Sequence, residues 1–197
     1  PAVENEKDPF NFGGFAKVQP YYARNAEVCA MRDDVKPFVR SYFNAIPSLL
    51  GMETLSFQEH FHGVGAWNKT HETGYFLHQT RIMMVLERGD DLWLAPLVTS
   101  NWLKDGLATG VKNAPTFFGP VSFRIESHAA TGTIEAAIEP PTRSIPKRIV
   151  LRLRHPEGKA IRKVTVNGRD HAGFDTNREI IQIEPTRETI RVKAEFG

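Results

Sequence analysis

The spacing of apolar residues changes its rule near positions 103–108, and that change limits what this chain can fold into. Upstream, apolar residues recur at helical spacing on either side of a polar, histidine-rich stretch from Ser56 to Tyr75. Downstream, they alternate in short runs punctuated by Pro and Gly. A period of about 3.6 residues lines one face of a helix, and a period of 2 lines one face of a strand. The expectation is an α+β chain with two parts, helical over 1–106 and all-β over 107–197.

Three helices are expected. One follows Pro20 and covers 21–32. The clearest covers 35–50, where Val35, Phe38, Val39, Tyr42, Phe43, Ile46, Leu49 and Leu50 form a single stripe. Asp34 stands at its N-cap position, Pro47 is expected to kink its last turn, and Gly51 to stop it. The third covers 75–88 and is apolar nearly all round, which calls for neighbours on more than one side. Two other helices are too few to cover it, so the chain is expected to expose apolar surface if alone, and to meet either further helices of a longer protein or another copy of itself. Pro1, where Met would stand, is read as the start of a trimmed or excised chain. Seven short strands are expected beyond residue 107, near 108–113, 121–127, 132–138, 148–154, 163–166, 179–183 and 189–195. Turn signals such as Gly119-Pro120, His155-Pro-Glu-Gly158 and Asn167-Gly168 separate them, and an antiparallel β-sandwich is the expected product.

Bulk composition narrows the functional classes. A formal net charge of +2 in 197 residues gives no basis for a nucleic-acid partner or an anionic membrane surface. No apolar run reaches the roughly 18 residues of a membrane span. The single cysteine, Cys29, excludes an intrachain disulfide and is expected to be a small buried residue without an activating partner.

The chemistry-bearing residues gather between 58 and 75. Gln58, Glu59, His60, His62, Trp67, Asn68, His71, Glu72 and Tyr75 lie there, with Gly63 and Gly65 for tight turns. Sugar sites use this mixture, aromatic faces for pyranose rings and amides, imidazoles and carboxylates for hydroxyls. Glycoside cleavage needs two carboxyl groups, and Glu59 and Glu72 are the local candidates. The bland alternative is a capped, hydrogen-bonded loop between helices. A metal reading on His60, His62, His71 and Glu72 lacks the spacing of a zinc motif, so no metal and no cofactor is expected. Asn68-Lys-Thr70 matches a glycosylation sequon, a pattern frequent by chance.

Leu92-Trp-Leu-Ala-Pro96, Asn101-Trp-Leu-Lys-Asp-Gly106 and Val164-Thr-Val-Asn-Gly168, set after helical hairpins, resemble the C-terminal end of six-hairpin, (α/α)6-barrel glycoside hydrolases. Gln58-Glu-His-Phe61, with Gly63 and Gly65 after it, is similar to the Glu-Lys-Tyr or Glu-Asn-Tyr element of trehalases and processing α-glucosidases, with His60 and Phe61 departing from it. The resemblance implies terminal barrel hairpins followed by a β-sandwich. It implies hydrolysis of an O-glycosidic bond in an oligosaccharide or polysaccharide, with inversion, and Glu59 as general base. Its partner acid would lie upstream of this chain. Gln58, His60, Trp67, Asn68, His71, Glu72 and Tyr75 would contact sugar or support the base. Two other readings stay open. One is a non-catalytic carbohydrate-binding or structural module, which the shortage of Trp and Tyr beyond residue 107 disfavours. The other is a polysaccharide lyase led by His60, His71 and Tyr75.

Overall fold

A computed structural model describes residues 25–59 and 68–197, arranged as two compact units that divide between Ile82 and Met83. The first unit opens with helix α1 (Asn25–Arg32) and helix α2 (Val35–Leu49). Asp33 takes a left-handed conformation, φ 66°. The Asp33 and Asp34 amides then donate back to the Ala30 and Cys29 carbonyls at 3.2 and 2.9 Å. That closure satisfies the last carbonyls of α1 and turns the chain into α2. Asp34 occupies the N-cap position of α2, but its side chain makes no capping bond. Pro47 is accommodated inside α2, which ends as the Leu50 amide bonds to the Ile46 carbonyl. Cys29, expected buried, is half-buried.

Residues 52–74 are not one long connection. Strand β1 (Leu50–Gly51) pairs antiparallel with strand β2 (Ser56–Phe57), a short hairpin that returns the chain to the end of α2. Helix α3 covers Thr70–Met84, starting five residues before the expected 75 and ending before the expected 88. Of the expected stripe of α2, Phe38, Tyr42 and Leu49 are buried and Phe43 is exposed, while Ala45, outside that stripe, is buried as well. Tyr42 stacks on Phe76 at 5.7 Å between ring centroids, and Phe57 meets Phe76 at 4.8 Å. The Thr80 hydroxyl donates to the Phe76 carbonyl at 2.7 Å, so the 2.7 Å contact between Tyr42 and Thr80 hydroxyls has Tyr42 as donor. Val28, Met31 and Leu77 stay exposed.

The second unit contains eleven strands, β3 to β13, and its β structure starts at Val85, well before residue 107. Strands β3 (Val85–Arg88) and β4 (Asp91–Leu94) form a hairpin inside the part expected to be helical, β3 lying within the expected helix 75–88. The seven expected segments are all strands: β5 (Ala108–Ala114), β6 (Val121–His128), β7 (Thr133–Glu139), β8 (Arg148–Arg152), β9 (Ile161–Val166), β12 (Ile180–Ile183) and β13 (Ile190–Phe196). Strands β10 (Arg169–Asp170) and β11 (Phe174–Asp175) add two short edges.

The strands make two sheets, ordered β10-β9-β13-β7-β6-β5 and β11-β12-β8-β4-β3. The first is antiparallel throughout. Phe123, Ile125, Ile134, Ala136, Ile138, Val192 and Ala194 line its buried face, and Arg124, Glu126, Arg191 and Lys193 alternate outward. The second is mixed, because β4 runs parallel to β8. Leu92, Trp93 and Leu94 of β4 are all buried, as are Ile149, Val150 and Leu151 of β8. Strands covered on both faces read as unbroken apolar runs and show no alternation.

Candidate functional site

The expected site residues fall at the two ends of one connection. Gln58 and Glu59 follow β2, and Asn68 and Lys69 lead into α3. His60 and Trp67 lie outside the described residues. Two backbone bonds fix the ends. The Gln58 amide donates to the Leu49 carbonyl at 2.8 Å, tying the strand exit to the end of α2. The Lys69 amide donates to the Phe57 carbonyl at 2.9 Å, tying the start of α3 to β2. Asn68 turns with φ 63°, a left-handed value that Asn tolerates well, and its side chain is exposed.

This closure brings Glu59 to Lys69. Lys69 Nζ lies 2.9 Å from Glu59 Oε1 in a partly buried ion pair, with 35% and 22% of the two side chains exposed. Lys69 is a candidate site residue that the sequence reading missed. Its signal was a lone cation at the far end of the loop that begins with Glu59.

His71, Glu72 and Tyr75 are helical, in the first two turns of α3, and not in a loop. An acidic residue in a first helical turn faces the positive end of the helix dipole. Glu72 is completely buried. His71 Nδ1 lies 3.1 Å from Glu72 Oε1, within hydrogen-bond distance. Among the described residues Glu72 Oε2 has no hydrogen-bond partner. The His71 ring meets Tyr75 edge-on at 4.7 Å. Tyr75 also packs against the cluster of Ala45, Leu49 and Phe57. The α2 end, the β1–β2 hairpin and the first turns of α3 are thus fastened by one apolar cluster below the polar residues.

The two carboxylates differ in kind. Glu59 reaches solvent and is paired with an ammonium. Glu72 is sealed in, holds its neighbour's imidazole, and keeps one oxygen bare. A proton acceptor for a bound substrate has to be reachable, which favours Glu59. A buried polar atom without a partner is costly, of order 1–3 kcal/mol, and calls for a reason beyond packing. Among the described residues no three His, Cys, Asp or Glu side chains gather as metal ligands.

No protein-family model matches the chain, and no curated protein matches its sequence. Similar solved structures include a glycoside hydrolase, 11% identical with a TM-score of 0.45, matched over 88% of this chain and 29% of that one. A GH127 beta-arabinofuranosidase is another, 13% identical with a TM-score of 0.43, over 88% of this chain and 30% of that one. The chain thus spans less than a third of the length of either.

Proposed function

We propose that this chain is a portion of a glycoside hydrolase that cleaves O-glycosidic bonds of an oligosaccharide or polysaccharide by inversion, with Glu59 as general base. The observation that carries this reading is the reachable Glu59 carboxylate held at 2.9 Å by Lys69, beside the buried Glu72–His71 pair. An inverting base must be ionised to take a proton from water, and a neighbouring ammonium favours that form. The acid that protonates the leaving group stands across the scissile bond at about 6.5–9.5 Å, and in this proposal it comes from another part of the parent protein. Gln58 and Asn68 flank Glu59 along the connection and offer amides for hydroxyls. His60, Trp67, His71 and Tyr75 complete the sugar contacts, and Glu72 supports His71. The helices are assigned to closing hairpins of an (α/α)6 barrel, and the two-sheet unit to an appended sandwich. No cofactor takes part.

The test is made on the whole protein that carries this chain. Glycosides and oligosaccharides are screened for hydrolysis, and the anomer first released from an active substrate is read by proton NMR. Inverted product supports the reading. Retained product excludes a base role for Glu59, and unsaturated products from uronic-acid polymers would move the assignment to a lyase.

A further inference from the structure

We propose that the outer edge of β5 is a strand-pairing surface for a second copy of this chain, joined antiparallel about Gly110. The inference is independent of the catalytic reading. Strand β5 ends the six-stranded sheet, and among the described residues only β6 pairs with it. At its start the Gly106 amide donates to the Ser127 carbonyl at 2.9 Å, while the Ser127 amide donates to the Leu107 carbonyl at 2.9 Å. Gly106 has φ 75°, so this is a bulge of the kind that needs glycine. Leu107 therefore turns its carbonyl toward β6, and the alternation of a strand turns the amide groups of Ala108 and Gly110 to the open edge.

Several features suit that edge to self-pairing. Ala108, Gly110 and Lys112 are exposed. Within Ala108–Ala114 the only charge is Lys112, and the others are small or uncharged residues. Gly110 opposes Arg124 on β6, and a Cβ at Gly110 would sit 2.1 Å from the Phe123 carbonyl oxygen. The centre of the edge is therefore bare, and another backbone can approach it. The far end differs: a register shift between Val111 and Ala114, with Asn113 at φ 54°, bends the strand away. Open pairing is thus confined to the stretch around Gly110. A twofold axis at Gly110 sets Gly110 against its copy and Ala108 against Lys112 of the second copy. Ala108 opposes Glu126 on β6, so Lys112 of the second copy points across the small Ala108 toward the Glu126 carboxylate. Glu126 already accepts from Arg124 Nε at 2.7 Å within β6, so Lys112 of the second copy would add a second cation to that carboxylate, once in each copy. An edge with this composition recruits a strand by its main chain and selects it by that charge pair.

The test is sedimentation equilibrium of the 197-residue chain up to about 1 mM, where weak association is still populated. A monomer–dimer equilibrium is expected. Ala108→Pro removes an outward amide, and Lys112→Glu sets two carboxylates together, so each should raise the dissociation constant at least about tenfold. Glu126→Lys alone also breaks the pair with Arg124 and serves as the control; combined with Lys112→Glu it exchanges the charges in both copies and should restore dimerisation relative to either single variant. Circular dichroism of each variant establishes that it is folded, and Lys112→Glu, on an exposed side chain, keeps the test open if Ala108→Pro fails to fold. A chain monomeric at every concentration overturns the proposal. So does a dimer indifferent to Lys112→Glu, or one that the charge exchange does not restore.

Discussion

The Lys69 ammonium and the Glu59 carboxylate, ten positions apart in sequence, meet at 2.9 Å because the Lys69 amide is bonded to the Phe57 carbonyl. The pair depends on the fold and not on chain proximity. A partly exposed ion pair contributes little to stability, about 0–1 kcal/mol. In the proposed mechanism its worth is in aiming the carboxylate. If the whole protein is the proposed hydrolase, Lys69→Met should lower its kcat by up to about 100-fold, with KM changed little. Lys69→Arg should recover part of the loss. Steady-state kinetics on the active glycoside reads both, and an unchanged kcat in Lys69→Met would remove the positioning role.

Glu72 should behave in the opposite way. It is fully buried and one of its oxygens has no partner among the described residues, so an apolar side chain of similar length relieves a cost. Glu72→Met is expected to leave thermal unfolding unchanged or shift it upward, and to impair activity because His71 loses its anchor. A large drop in unfolding temperature would mean that Glu72 is there for stability.

Tyr42 links stability to alkaline pH. Burial raises its phenol above the usual value of 10.0. The folded state then holds its proton where the unfolded chain has lost it. Tyr42 contributes stability that is full below about pH 10 and lost as pH rises through the folded value. Urea unfolding on either side of pH 10 should show this decline in the wild type and a shallower one in Tyr42→Phe. Equal slopes would exclude the linkage.

Gly110 tests the close approach of β5 to β6. A Cβ there would lie 2.1 Å from the Phe123 oxygen and 2.9 Å from the Arg124 Cα, both backbone atoms of an interior strand. Neither can yield locally, so Gly110→Ala is expected to cost about 2–4 kcal/mol by chemical denaturation. A cost below about 1 kcal/mol would contradict the geometry.

Helix α2 was legible because Phe38, Tyr42 and Leu49 of its stripe are buried on one side, although Phe43 of the same stripe is exposed. Strands β5, β6, β7 and β13 were legible because one face of their sheet is polar. Strands β3 and β4 were not, because Leu92, Trp93 and Leu94 are buried in succession and erase the period of 2. Val85 and Leu86 continue the apolar pattern of α3 without a break, which hid the change from helix to strand. At the site, the carboxylates and His71 were legible as a cluster of residue types. The start of α3 at Thr70 was hidden by Gly74 and by the absence of a capping residue at Lys69. The role of Lys69 was hidden because a tertiary backbone bond, and no periodicity, delivers it to Glu59.

The most direct measurement is hydrolysis by the whole protein carrying Glu59→Gln, compared with wild type on the same glycoside. The substitution keeps shape and removes the proton acceptor. Activity should fall by about 100-fold or more, with substrate affinity by calorimetry retained. A Glu59→Gln enzyme with near wild-type kcat would contradict the account, and if Glu72→Gln were inactive beside it, the base would be Glu72.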